Sequence, residues 1–190
     1  MGDSEKREER VEKQFDGVLE GNEVLVWGER EAEECYDIGC YGKAEDGRNV
    51  MALVEAMHLI ERKRLVVKEG KSKLTKEDFH ARASELDKEF PQKYKVYKDL
   101  RERGFVVRTG FKFGTHFRVY DRGVKLKKGP KSAKEHTKWI VHSVPEGFTC
   151  SYAELSRAVR LAHNIRATML WAVVDDEGDV TYYHMTRITP

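Results

Sequence analysis

Four side chains able to handle a phosphate or a proton fall on alternate positions of one short stretch, FKFGTHFRVY, residues 111–120. They are Lys112, His116, Arg118 and Tyr120. The positions between them include Phe111, Phe113, Thr115, Phe117 and Val119, so a strand of period two carries one apolar face and one cationic face ending in a phenol. His136 follows sixteen residues after Tyr120, just ahead of the apolar run TKWIVHSV. RNA brings its own nucleophile, the 2′-hydroxyl. Its cleavage needs a base for that hydroxyl, an acid for the departing 5′-oxygen and cations for the charge that builds on phosphorus. A tyrosine, a histidine and lysine or arginine side chains suffice, provided the fold brings Tyr120 and His136 to one edge of a sheet.

A metal-based alternative finds little support. His116, His136, His142, His163 and His184 form no HxH, HxxxH or HExxH pair on a common face. The one acid–x–Lys triplet of nuclease type, Glu69-Gly70-Lys71, lies in a loop of the acidic half. No metal and no cofactor are expected.

The 190 residues suffice for one domain or two small ones. With 39% hydrophobic and 36% charged residues, and no apolar run near the length of a membrane helix, the chain reads as a soluble, cytoplasmic protein. Three scattered cysteines, Cys35, Cys40 and Cys150, suggest free thiols rather than a disulfide framework. Only three Asn and two Gln accompany 68 charged side chains, a bias associated with hot environments. The net charge of +2 hides an asymmetry. Residues 1–91 hold 16 basic and 23 acidic side chains, whereas residues 92–190 hold 19 and 10. Four of those ten acids sit in DDEGD, residues 175–179, so the rest of the second half is basic enough to suit a nucleic acid.

Strand and helix patterns intermix, which predicts an α+β class. Residues 1–13 read as a disordered charged tail. EVLVW predicts a strand, REAEECYDIGCYGK a short helix closed by a glycine turn, and NVMALVEAMHLIERKRL an amphipathic helix; KEGKSK reads as a loop. Thr75 is placed as N-cap of LTKEDFHARASELDKEF, and Pro91 opens the helix PQKYKVYKDLRERG. The charge balance flips at Pro91, which sets the expected boundary between residues 14–91 and residues 92–190. Strands FVVRTG, 111–120 and TKWIVHSV follow, then the helix SYAELSRAVRLAHNIR and a hairpin of MLWAVV and VTYYHMTRIT across DDEGD.

The segments YKVYKDLRERGFVVRTGFKFGTHFRVYDRG, KEHTKWIV and RAVRLAHNIR, in this order, resemble the archaeal tRNA-splicing endonuclease family. GCYGK and MALVEAMHLIERKRL resemble that family's N-terminal domain. The resemblance implies a small N-terminal α+β domain and a C-terminal nuclease domain with a restriction-endonuclease-like mixed central sheet. It also implies cleavage of precursor tRNA at bulge–helix–bulge junctions without metal, leaving a 2′,3′-cyclic phosphate and a 5′-hydroxyl. The family's tyrosine falls on Tyr120, as base, and its histidine on His136, as acid. Its lysine, which follows the arginine of an AHxxR helix, falls on Ala167, so the expected cation is missing. Arg166 is adjacent, but one residue along a helix turns about 100°, which makes it a poor substitute. Two explanations fit. Either the lysine was replaced to trap an inactive enzyme, or the chain is a non-catalytic structural subunit beside a catalytic partner; intact Tyr120 and His136 favour the first.

The same resemblance assigns Arg160 and Arg187 to a clamp on a bulge base. Lys112 and Arg118, with Lys125, Lys127 and Lys128, are expected to attract phosphates. Asp175, Asp176, Glu177 and Asp179 match a loop that docks into another subunit and links dimers into a tetramer of identical or different chains, with the final strand forming the tighter dimer contact.

Overall fold

Phe15, Gly17 and Leu19 are buried and alternate with Asp16, Val18 and Glu20, the period-two pattern of a half-buried strand. This strand, β1 (Phe15–Glu20), opens a structure that is a computed structural model describing residues 13–109, 115–126 and 135–188. There follow β2 (Glu23–Trp27), α1 (Glu29–Asp37), β3 (Lys43–Glu45), β4 (Arg48–Ala52), α2 (Leu53–Glu61), β5 (Leu65–Glu69), β6 (Ser72–Lys73) and α3 (Lys76–Leu86). The second half supplies α4 (Phe90–Glu102), β7 (Phe105–Thr109), β8 (Phe117–Arg122), β9 (Trp139–Pro145), α5 (Tyr152–Asn164), β10 (Thr168–Val174) and β11 (Val180–Met185). The class is α+β, built on two mixed sheets ordered β3-β4-β2-β1-β5-β6 and β11-β10-β9-β8-β7. β1 pairs with β5 in parallel, as β9 does with β10; the other neighbours are antiparallel.

The expected helix over 49–65 is three elements. Met51 is fully buried within β4, the helix starts only at Leu53, and Leu65 begins β5. Two side chains impose the break. Asn49, wholly buried, donates to the carbonyls of Ala32 and Tyr41, which holds residue 49 in the sheet. The Glu55 carboxylate accepts the Ala52 N–H at 3.0 Å, starting the helix there. A buried strand running into a buried helix mimics one long apolar stripe. KEGKSK is likewise a β5–β6 hairpin about Gly70, at φ 59°, rather than a plain loop.

Elsewhere local chemistry decides as the pattern implies. The Thr75 hydroxyl accepts the Asp78 N–H and Asp78 returns the bond to the Thr75 N–H. Ser151 and Glu154 do the same at the start of α5.

α4 is the central element. It packs on α2 and α3 on one side and on the second sheet on the other, burying Phe90, Tyr94, Val96, Tyr97 and Leu100. One continuous core thus runs from Phe15 and Val24 to Val141 and Leu170. The second sheet turns Phe117, Val119, Val141 and Leu170 toward α4; Ile140, Met169 and Trp171 face α5 instead.

Two arginines tie the halves together. Arg101, on α4, donates to the Tyr97 hydroxyl (2.9 Å), the Gly39 carbonyl (2.8 Å) and the Val107 carbonyl (3.2 Å), with its guanidinium 4.2 Å from the Tyr41 ring centroid. Arg108, on β7, donates to the carbonyls of Cys40 and Gly42. The turn they grip needs holding, because Cys40 sits at φ 57°, unusual for a residue with a Cβ. Replacing Arg101 by Met should cost about 2–4 kcal/mol in urea denaturation, since buried acceptors lose a charged donor. Arg101→Lys should recover less than half of that, because one ammonium cannot span three acceptors in a plane. A loss below about 1 kcal/mol for Arg101→Met would contradict the clamp.

Candidate active site

The ladder of the second sheet brings three distant positions to one end. β8 and β9 pair with Val119 opposite Trp139, and β9 and β10 pair with Trp139 opposite Thr168. The Lys138 N–H donates to the Val119 carbonyl at 2.8 Å, and the Thr168 N–H to the Lys138 carbonyl at 3.1 Å. Tyr120 is the residue after Val119, His136 lies two before Lys138, and Ala167 immediately precedes Thr168. All three therefore flank the same rung.

Their surroundings differ sharply. Strand alternation turns Arg118 and Tyr120 away from α4, as the period-two pattern expects, but that face is not open at Tyr120. The tyrosine is 2% exposed and packs with Val106, Cys40, Tyr36 and Leu126. The cover comes from the N-terminal half, where Tyr36 donates its hydroxyl to the Leu126 carbonyl at 2.8 Å. His136 is exposed, in the bend ahead of β9. Ala167 is half-buried against the cluster beneath α5, its N–H bonded to the Ala162 carbonyl at 2.9 Å.

The turn into Ala167 corrects one expectation. α5 ends at Asn164, and Arg166 takes a left-handed conformation at φ 57°, with its N–H donated to the His163 carbonyl. Residues 166 and 167 are not successive helical positions, so the 100° argument against Arg166 loses its premise. Arg166 is exposed and has no ion-pair partner among the described residues.

Other cations at this end are already engaged. Lys138 pairs with Asp121 at 2.6 Å and lies 4.8 Å from the Trp139 ring centroid; Arg122 lies 4.9 Å from that of Phe105. Sequence reasoning missed Lys138, whose only signal is its place two residues after His136. Arg118 is half-buried, with its Nε lacking a protein partner. Arg160 is exposed on α5, and Arg187 is exposed beyond β11. Lys125 is also exposed, whereas Lys112, Lys127 and Lys128 lie outside the described residues. Among the described residues no three His, Cys, Asp or Glu side chains group as a metal site, and no helix is long and apolar enough to cross a membrane.

Two family models match the chain: residues 15–80 the N-terminal domain of the tRNA intron endonucleases, and residues 90–182 their catalytic C-terminal domain. A tRNA-splicing endonuclease of Thermococcus gammatolerans is 41% identical over 165 residues, covering 87% of this chain and 93% of the relative. The chain belongs to the tRNA intron endonuclease family. A Pyrococcus abyssi tRNA-splicing endonuclease is 33% identical over 94% of this chain and 99% of its own length. The Methanosarcina barkeri tRNA-splicing endonuclease is 37% identical over 90% of this chain, which spans only 48% of that longer protein.

Within this family member the acidic turn is less uniform than its composition suggests. The Asp175 carboxylate accepts the N–H groups of Gly178 (2.7 Å) and Asp179 (2.8 Å), so it braces the turn from inside. Asp176, Glu177 and Asp179 are the exposed acids at the tip.

His116, at the far end of β8, is a structural residue here. Its Nδ1 accepts the Ser143 N–H at 3.0 Å and its ring stacks on His142 at 4.5 Å. Burial is the main reason its pKa falls to about 4; His142 and Lys93 add to the effect, while Glu89 and Asp87 oppose it. His58 also falls to about 4, first through burial and then through Arg101, Arg62 and Lys98, against Glu61. Both histidines bind protons more readily when unfolded, near pH 6.5, than when folded. Their contribution is complete above about pH 6.5 and is lost as pH falls toward 4. Urea denaturation should show stability dropping across that window, on the order of 3 kcal/mol per histidine. His58→Phe should flatten the slope, and an unchanged slope would show that His58 is not held neutral.

Proposed function

We propose that this chain is a tRNA-splicing endonuclease subunit that cuts precursor tRNA at the bulge–helix–bulge junctions of an intron. The observation that supports this best is the shared rung flanked by Tyr120, His136 and residue 167, in a chain whose relatives are named for this activity. In this reading residues 92–190 carry the reaction, and residues 14–91 cover and buttress it. The 2′-oxygen attacks phosphorus as its proton passes to Tyr120. The bond to the 5′-oxygen breaks, and His136 delivers a proton to that oxygen. The products are a 2′,3′-cyclic phosphate and a 5′-hydroxyl. Arg160 and Arg187 hold a bulge base between planar cations, and Arg118 and Lys112 draw in phosphates.

Position 167 limits the rate, because an alanine supplies no charge to the transition state. Arg166 is the adjacent cation and carries whatever remains of that role. Ala167→Lys should raise single-turnover cleavage by about 10²- to 10³-fold, the usual scale for one transition-state donor. Tyr120→Phe or His136→Ala in that background should abolish the gain. Arg166→Ala should lower the residual rate of the unmodified chain.

A second reading, the non-catalytic structural subunit, draws on the same alanine and on the burial of Tyr120 to 2%. It predicts that neither version cuts until a different subunit is added.

Assembly follows from charge and edge. β11 is an edge strand of the second sheet, with Tyr183 50% and Ile188, just beyond it, 81% exposed, which suits pairing with a second copy. The exposed acids 176, 177 and 179 suit a basic pocket of a further copy. Changing those three to Asn and Gln should reduce a tetramer to dimers in light scattering. An unchanged mass would remove the acidic tip from the assembly.

A further inference from the structure

Lys138 is the point where the segments around the candidate site are tied to one another. Its N–H donates to the Val119 carbonyl at 2.8 Å, and its carbonyl accepts the Thr168 N–H at 3.1 Å. Its ammonium donates to the Asp121 carboxylate at 2.6 Å. The residues on both sides of Tyr120, and the residue that follows position 167, are therefore all bonded to Lys138. His136 stands two residues before it.

A break in the ladder gives the side-chain bridge its purpose. On the β7 side, Arg122 pairs with Phe105 and Tyr120 with Val106, which leaves Asp121 without a partner in the register. An extra residue of this kind is a bulge, which bends the strand and re-aims its side chain. On the β9 side, the pairing with β8 ends at Val119 and Trp139. Tyr120 thus stands beyond the last paired rung and next to a bulge. The Asp121–Lys138 bridge spans from that bulge to the segment that brings in His136.

The bridge is seated on rings. The Lys138 ammonium lies 4.8 Å from the Trp139 ring centroid and 5.8 Å from that of Phe105, and the two rings are 5.0 Å apart, edge to face. Phe105 and Trp139 pack on the core that α4 buries, whereas Tyr120 belongs to the opposite face with Cys40 and Tyr36. The ammonium therefore sits across the sheet from the phenol and is no stand-in for the cation missing at position 167. The side chains of Lys138 and Asp121 are 41% and 54% exposed, and ion pairs so exposed add little to stability. What this one fixes is geometry.

We propose that Lys138 is a positioning residue for the cleavage. Its ammonium, bridged to Asp121 and seated on Trp139 and Phe105, holds the segment carrying His136 at the separation from Tyr120 that one phosphate must span. The role rests on reading the chain as an RNA endonuclease with Tyr120 as base and His136 as acid. A reacting group misplaced by about 1 Å costs on the order of 10²-fold in rate, so a pair that contributes little to folding matters to the reaction.

The test is single-turnover cleavage of precursor tRNA, at saturating enzyme, by the full-length chain carrying Ala167→Lys, with and without Lys138→Met. Methionine keeps an unbranched side chain over the rings and removes the charge. The saturated rate should fall by about 10- to 100-fold, while the Kd for a precursor with a 2′-deoxy junction stays within about twofold and the melting temperature barely moves. Lys138→Arg, which keeps a cation within reach of Asp121, should recover most of the rate. Asp121→Asn should show the same loss as Lys138→Met, and the double variant no more than either alone. A substrate with sulfur in place of the 5′-oxygen departs as a thiolate and needs no proton from His136. On that substrate the loss in Lys138→Met should largely vanish, a response that a general weakening of the fold would not give. An undiminished loss with sulfur, a full rate for Lys138→Met, or a loss seen only as weaker RNA binding would each overturn the role and leave the endonuclease reading intact. No cleavage by the Ala167→Lys chain, alone or with a second subunit, would sink that reading and the positioning role together.

Discussion

Everything at the candidate site depends on how the turn at residues 39–42 is held. Arg101 and Arg108 reach from the C-terminal half to the carbonyls of Gly39, Cys40 and Gly42, and Tyr41 stacks on the Arg101 guanidinium. Gripped this way, the turn places Cys40 and the nearby Tyr36 over Val106 and Tyr120. Isolated surface ion pairs contribute little, but a half-buried guanidinium with three directed bonds fixes geometry. The N-terminal half is therefore a structural roof for the phenol as well as a partner in the core.

That roof gives the two ends of β8 different characters. At Tyr120 the sheet face is sealed by residues from far back in the chain. At His142 the same face opens into a cavity that Phe148 and Trp171 also line, with the His116 ring stacked on His142 and Arg118 between the two ends. A face that reads as uniformly cationic in sequence is graded in space, from covered phenol through a part-buried guanidinium to neutral imidazoles. The gradient arises because burial keeps the histidines uncharged, so only Arg118 keeps its charge along this part of the strand.

Local signals were legible where they act locally. Thr75 and Asp78, Pro91 at the start of α4, and the strand carrying Trp139 to Pro145 all follow from neighbours a few residues apart. The run from Asn49 to Leu65 was not, because the hydrogen bonds that keep Asn49 in the sheet come from Ala32 and Tyr41. The burial of Tyr120 was equally hidden, since Cys40 and Tyr36, which complete its cover, come from the other half of the chain. The left-handed turn at Arg166 has no glycine or asparagine to announce it. The residues themselves drew attention to Tyr120 and His136, the resemblance to the family pointed to position 167, and only strand register shows that all three flank one rung.

The central claim is that this sheet end performs phosphoryl transfer using the RNA's own 2′-hydroxyl. The most direct measurement is end-group analysis of an intron-bearing precursor tRNA cut in a chelator, by the chain carrying Ala167→Lys. The account predicts 2′,3′-cyclic phosphate and 5′-hydroxyl ends, and no cut where the junction ribose is 2′-deoxy. Ends bearing a 5′-phosphate and a 3′-hydroxyl, or cleavage that stops when divalent ions are removed, would contradict it.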